Sequence, residues 1–218
     1  MYLPGGSAVA ARSVKPNFSP ARTYQSVSVS SEVIFQPNQV SSVMRRAFHA
    51  LRNGRPGPVI VEIPGDVADM EVDDSIVESY VSPQRYRFSP EPSHISEAVQ
   101  LLLDAKKPVI WSGMGVLMSD ASEELTELAE LTQIPVYCTM PGKSGFDQRH
   151  PLSLGSGSGS TSLQARTWLQ ESDVLFAVGS SLSRTSYGQP IPDGKTMIHS
   201  TETIADINKD FDNQFRTT

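Results

Sequence analysis

Apolar positions along this chain follow two rhythms, one at helical spacing and one in short continuous runs. From Pro37 to Leu51 the apolar residues Val40, Val43, Met44, Ala47, Phe48 and Leu51 recur at helical spacing. Pro37 stands near the start and Gly54 just past the end, which is where each residue's backbone suits a helix boundary. Within GRPGPVIVEIP, residues 54–64, the run Val59, Ile60, Val61 and Ile63 follows. Pro56 and Pro58 exclude helix there, and the β-branched residues suit a strand covered on both faces. Glu62 interrupts the run. A carboxylate in a buried strand needs a partner, either a structural one within the fold or one across a domain contact. The sheet neighbours of this strand would have to lie upstream, where the sequence offers little to supply them.

Beyond Pro92 the alternation becomes regular. Ser93 can cap a helix carrying Ile95, Ala98, Val99 and Leu102 on one face, and Lys106-Lys107-Pro108 ends it before a strand from Val109 to Trp111. A helix around Asp120 to Thr132 turns Leu125, Leu128 and Ala129 inward, and a strand from Ile134 to Thr139 follows. Next come a helix from about Thr161 to Gln170, a strand from Val174 to Val178 and a strand near Thr196 to His199. Helices alternating with short apolar strands predict an α/β fold, an open parallel sheet with helices on both faces, preceded by a partial α/β domain. Residues 65–92 hold seven acids and three prolines with no sustained period, including Asp66, Asp69, Glu71, Asp73 and Asp74, which is the composition of an interdomain linker.

Composition narrows the function classes. The 218 residues are 38% hydrophobic and 19% charged, enough apolar material for a core, and no run of about 18 apolar residues predicts a membrane span. A net charge of -6 with scattered Lys and Arg gives no basic surface for nucleic acid. Cys138 is the only cysteine, so no internal disulfide and no cysteine-based metal cluster can form, and a reducing, cytoplasmic setting is expected. Residues 1–31 carry Arg12, Lys15 and Arg22 without an acid and are rich in Ser, the composition of an organelle transit segment. Pro4, Pro16 and Pro20 interrupt the amphipathic helix such a segment needs. Two readings stay open there: a targeting segment, or an extended stretch lying on a domain.

Several motifs approach known chemistry. Ser112-Gly113-Met114-Gly115-Val116 is a glycine turn at the carboxyl end of a predicted parallel strand, but Met118 stands where a dinucleotide fingerprint has its third glycine. It is either a nucleotide contact or a tight strand-to-loop turn. Gly142-Lys143-Ser144 ends like a phosphate-binding loop, yet Tyr137 occupies the position of that loop's first glycine. GSGSGSTS, residues 155–162, leads into a helix; it is either a ligand loop whose amides favour an anion or a plain solvated loop. Gly157 stands where a GxSxG motif has its serine, which argues against a serine nucleophile. His49, His94, His150 and His199 lack metal-ligand spacing.

Taken together, GRPGPVIVEIPGDV at residues 54–67, preceded by Arg45-Arg46-Ala47-Phe48, resembles the end of the pyrimidine-binding domain of thiamine-diphosphate-dependent enzymes of the acetolactate synthase, benzoylformate decarboxylase and oxalyl-CoA decarboxylase group. KKPVIWSGMGV, IPVYCTMPGKSGFDQRHPLSLG, ESDVLFAVGSSLSRTSYG and MIHSTETIADINKDF then follow in the order of that family's Rossmann-like central domain. The resemblance implies three segments: 1–66, the tail of the pyrimidine-binding domain; 67–92, a linker; and 93–218, the central domain, ending before its last strand. It implies thiamine diphosphate and Mg2+ in the whole enzyme, which form or cleave carbon-carbon bonds of a 2-keto acid or acyl substrate in a homo-oligomer. The activating glutamate would fall upstream of Met1 and the GDG motif is absent from the sequence, so the chain alone is expected to be an inactive fragment. FAD or ADP binds the central domain of some relatives. The resemblance places such contacts at Gly113, Gly115, Gly155, Gly157, Ser180 and Arg184, with Thr201 and Thr203 where acids would stand. The alternative is a non-catalytic nucleotide-binding or subunit-interaction module.

Overall fold

The computed structural model describes residues 1–211 and the backbone of 215–217. They form two units, Met1–Arg87 and Phe88–Thr218. Among the described residues no helix is long and apolar enough to cross a membrane.

The first unit contains β1 (Gly5–Gly6), α1 (Pro20–Thr23), β2 (Ser30–Val33), α2 (Val40–Arg52), β3 (Val59–Pro64), α3 (Gly65–Ala68) and α4 (Asp74–Glu78). Its sheet runs β1-β3-β2, all parallel. The expectation that little upstream could pair with β3 is therefore corrected: Gly5 aligns with Ile63, Ser30 with Val59, and Tyr2 bridges Ile60. These partners are recruited by backbone amides and carbonyls, so they leave no apolar rhythm in the sequence. One face of β3, Val59 and Val61, packs with Ile34 and with Val43 and Ala47 of α2. On strand alternation the other face holds Ile60 and Glu62, and there the amino-terminal segment lies. Glu62 is fully buried. Arg12 Nη1 donates to its Oε1 at 2.5 Å, and Ser19 Oγ at 2.7 Å and the Ala21 amide at 2.9 Å donate to its Oε2. The structural-partner alternative for Glu62 is the one observed.

The stretch expected as a linker straddles the division between units. Its first part is tied to the first unit: Ser41 Oγ donates to the Ile76 carbonyl at 2.6 Å, and Arg52 Nη1 to the Pro83 carbonyl at 2.6 Å.

The second unit contains α5 (Pro92–Asp104), β4 (Val109–Ser112), α6 (Met114–Met118), α7 (Ser122–Thr132), β5 (Val136–Thr139), β6 (Ser153–Gly157), α8 (Leu163–Glu171), β7 (Val174–Val178), β8 (Thr196–Ser200) and β9 (Phe215–Thr217). Its six strands are parallel and ordered β6-β5-β4-β7-β8-β9. Numbered by occurrence this is 3-2-1-4-5-6, the doubly wound order whose direction reverses between β4 and β7. Ile110, Val136 and Cys138 pack with Val116, Leu125 and Ala129 of α6 and α7. On the other face Val109, Trp111, Tyr137 and Leu175 pack with Ala165 and Leu169 of α8. Strand alternation thus sends successive residues into two separate cores, as a sheet covered on both faces requires.

The glycine-rich stretch is only partly a loop. Residues 153–157 form edge strand β6, with a register shift against β5 between Val136 and Cys138. Gly155 takes φ +80° there, a left-handed conformation that a β-carbon penalises, and so lets the strand absorb an extra residue.

Candidate functional site at the carboxyl edge of the larger sheet

Open parallel sheets bind ligands beyond the carboxyl ends of their strands, at the point where the strand order reverses. In this sheet that point is where Gly113, after β4, meets Gly179, after β7. The Gly113 amide donates to the Val178 carbonyl at 2.9 Å, the Gly115 amide to the Gly179 carbonyl at 2.7 Å, and the Gly179 amide to the Ser200 carbonyl at 3.0 Å. A β-carbon on Gly113 would meet the Gly179 carbonyl oxygen and lie 2.5 Å from Ser180 Cα; on Gly115 it would lie 2.6 Å from Gly179 Cα. These glycines let two turns touch backbone to backbone. Their amides are spent on that contact.

Behind the junction lies His199 of β8, which is fully buried. Its Nε2 is 2.7 Å from the Ser180 carbonyl; a carbonyl only accepts, so Nε2 carries the proton. Burial pushes the His199 pKa down, against the hydrogen bond to Ser180 and the charge of Asp206, which push it up. Asp206 is itself buried and accepts from Lys209 Nζ at 2.5 Å. The Ser180 hydroxyl accepts from the Leu182 amide at 3.2 Å. Leu182 is buried with φ +46°, an unfavourable conformation for a bulky residue that the surrounding contacts hold in place. Neither His199 nor Asp206 was anticipated as part of this edge. The one available signal was a histidine in the apolar run Met197-Ile198-His199.

The six residues singled out by sequence fall into three places. Gly113, Gly115 and Ser180 meet at the strand-order reversal. Gly155 and Gly157 lie on the edge strand β6, with β5 between them and β4. There Thr161 Oγ1 donates to the Ser158 carbonyl at 2.7 Å and stands 2.9 Å from the Tyr137 hydroxyl, which is therefore the donor of that pair. Arg184 belongs to a third place. Its guanidinium lies 4.6 Å from the Phe211 ring centre, in a groove of about 500 Å³ shared with Ile191, Pro192 and Lys195. After β8, the Thr203 amide donates to Thr201 Oγ1 at 3.4 Å.

Cys138 is buried, and burial pushes its thiol pKa up, the opposite of what a nucleophile needs. Among the described residues no group of three or more His, Cys, Asp or Glu side chains could hold a metal ion. The edge is thus built as a braced joint between strands, with the Gly113, Gly115 and Gly179 amides and the His199 ring bonded to carbonyls of neighbouring segments.

Residues 95–216 match the family model for the central domain of thiamine pyrophosphate enzymes. The chain is 38% identical over 152 residues to the probable acetolactate synthase large subunit of Methanococcus aeolicus, covering 66% of this chain and 25% of that protein. It is 37% identical over 187 residues to the acetolactate synthase large subunit of Corynebacterium glutamicum, covering 81% and 29%. To the glyoxylate carboligase of Escherichia coli O157:H7 it is 33% identical over 165 residues, covering 73% and 27%. The chain spans about a quarter of the length of these relatives.

Proposed function

The chain belongs to the thiamine pyrophosphate enzymes through their central domain, and from that premise we propose that it is part of an acetolactate synthase-like enzyme that forms or cleaves carbon-carbon bonds of 2-keto acids. In this reading residues 1–66 are the tail of the pyrimidine-binding domain, 67–92 the linker and 93–218 the central domain. One observation carries it: the similarity to the Corynebacterium glutamicum relative runs over 187 residues, longer than the matched central domain, so it extends beyond that domain alone.

The residues present do not fit thiamine diphosphate with Mg2+. The sequence has no GDG triplet, and the described residues gather no set of metal-ligating side chains. That cofactor carries the carbanion chemistry of its enzymes itself, and no step of it is assigned to this chain. The contribution of residues 93–211 is a braced scaffold. Isothermal titration of the chain with thiamine diphosphate and Mg2+ is expected to give no binding heat; micromolar binding would overturn this assignment. Sequencing the genomic DNA on both sides of the coding region tests the rest: a flanking region that encodes GDG supports a fragment, while stop codons and a promoter argue for a standalone module.

A second reading, a module that holds FAD or ADP without turnover, is favoured by the 3-2-1-4-5-6 strand order, because such sheets bind nucleotides where the order reverses. Quenching of flavin fluorescence by the chain, or ADP binding heat, would favour it. Absence of both leaves the scaffold reading.

A further inference from the structure

Asn53 caps the carboxyl end of α2, and Gly54 follows it. The Asn53 carboxamide holds a strap formed by residues 82–86. Its Oδ1 accepts from the Tyr86 amide at 2.8 Å, and its Nδ2 donates to the Gln84 carbonyl at 3.1 Å and the His49 carbonyl at 3.3 Å. The carboxamide thus pairs with the backbone on both sides of Arg85, as a residue of a parallel strand would. Arg52 Nη1 adds bonds to Ser82 Oγ and the Pro83 carbonyl, each at 2.6 Å. Gly54, by contrast, is exposed at φ +70°, and a β-carbon there would meet nothing within 4 Å.

Asparagine followed by glycine is chemically labile, because no side chain shields the glycine nitrogen from the carboxamide carbon. We propose that Asn53-Gly54 is a self-modification site, a deamidation site guarded by the strap. While the carboxamide holds residues 84–86 the pair is inert, and when the strap lifts the Gly54 nitrogen attacks Asn53 Cγ. The nitrogen gives its proton to water, the N–Cγ bond forms and the Cγ–Nδ2 bond breaks, releasing ammonia. Water then opens the resulting succinimide at either imide bond, leaving aspartate or isoaspartate. Closing that five-membered ring needs the Gly54 nitrogen in plane with Asn53 Cβ. At the observed ψ of 143° it stands well out of that plane, so backbone and side chain must move together. The product binds the strap less well than the amide does. The oxygen that replaces Nδ2 cannot donate, and it faces the Gln84 and His49 carbonyls at the negative end of α2. The change therefore runs one way, toward a released strap.

Peptide mapping by mass spectrometry of the whole chain, incubated at mildly alkaline pH, tests this. The folded chain is expected to deamidate at Asn53 on the order of tenfold more slowly than the same chain in urea. Tyr86→Pro, which removes the amide that donates to Oδ1, and Arg52→Ala, which frees Ser82 and Pro83, should each deamidate about fivefold faster than the folded wild type. Circular dichroism checks that both variants are folded. Independently of these rates, Asn53→Asp should speed amide exchange at residues 84–86 severalfold. A folded chain that deamidates as fast as the chain in urea would overturn the proposal, as would folded variants that keep the wild-type rate. Undiminished protection of residues 84–86 in Asn53→Asp would overturn the one-way release.

Discussion

Strand β3 in the first unit and strand β7 in the second are both short apolar runs with a parallel neighbour on each side, but only β3 carries a charge into its buried face. In the second unit Leu175 and Ala177 pack in the α8 core, and Val174 and Phe176 pack in the core beside α5. In the first unit α2 covers one face of β3, while the other is closed by an irregular segment that Glu62 holds through Arg12, Ser19 and the Ala21 amide. Apolar closure is tolerant, because many side chains share the burial. Closure by a buried carboxylate specifies one arrangement of the covering segment, and it fails abruptly when either partner is lost. The two units should therefore break under different perturbations. The molecule supplies its own reporter for this: both tryptophans, Trp111 and Trp168, lie in the second unit, so their fluorescence follows that unit alone, while amide exchange along β3 follows the first.

The largest contrast is expected from Glu62→Ala. Removing one partner of a buried pair costs about 3–5 kcal/mol, and Arg12, whose side chain is 18% exposed, can still reach water, which places the effect toward the lower end. The amides of residues 59–64 should lose protection while the tryptophan transition keeps its denaturant midpoint. Retained protection on β3 would show that the segment at residues 9–23 is held by something other than this cluster.

The converse experiment is Gly179→Ala. A β-carbon there would lie 2.6 Å from the Val116 amide nitrogen, and the residue sits at φ +60°. Crowding of packed groups costs about 1–3 kcal/mol, and the left-handed backbone adds to it. The tryptophan transition should move to lower denaturant with β3 exchange unchanged. An unchanged midpoint would mean that the 113–116 and 179–180 turns separate without cost, and that the junction is not a brace.

These contrasts also mark what the sequence could disclose. The apolar rhythms placed α2, β3, α7, α8, β7 and β8 within two or three residues, because those elements are chosen by burial of their own side chains. β1, β2 and β6, reading GG, SSEV and SLGSG, were not legible; they are strands because a neighbour offers amides and carbonyls, and pairing of that kind has no side-chain period. At the carboxyl edge Gly113, Gly115 and Ser180 were found from one turn and one resemblance. That the Gly113 and Gly115 amides are turned inward depends on which strand lies beside β4, and no local pattern encodes that. On α5, Ile95 and Val99 share a stripe as the spacing predicts, but the sheet covers Ala98 and Leu102 instead. Periodicity gives the faces of a helix and leaves open which face is inward.

Acid should separate the units by pH, with a smaller effect than the two substitutions. His199 is held below its ordinary pKa, first by burial. A depressed pKa means that the unfolded chain binds the proton more readily. The stability of the second unit is then complete above about pH 6.5, the unfolded value, and declines as pH falls toward the folded one. Glu62 is also depressed: burial would raise its pKa, but the hydrogen bonds from Ala21, Ser19 and Arg12 outweigh it. Its contribution to the first unit is complete above about pH 4.3 and is lost as pH falls through the lower folded value. Between those limits the tryptophan midpoint should fall while β3 protection holds. Simultaneous loss, or loss on β3 first, would reverse the assignment.

The smallest effect expected is that of Tyr137→Phe, and it asks whether polar closure also matters where apolar packing dominates. Tyr137 is fully buried in the α8 core, so the ring's contacts survive the substitution and only the hydroxyl is lost. That hydroxyl donates to Thr161 Oγ1, which keeps its own bond to the Ser158 carbonyl. Thr161 is therefore left half-satisfied, unlike the partners of Glu62. A loss of about 1 kcal/mol in the tryptophan transition is expected, with faster exchange confined to amides 158–162. A loss as large as that of Glu62→Ala would show that the second unit, too, hangs on one buried polar contact, and the contrast between the two modes of closure would disappear.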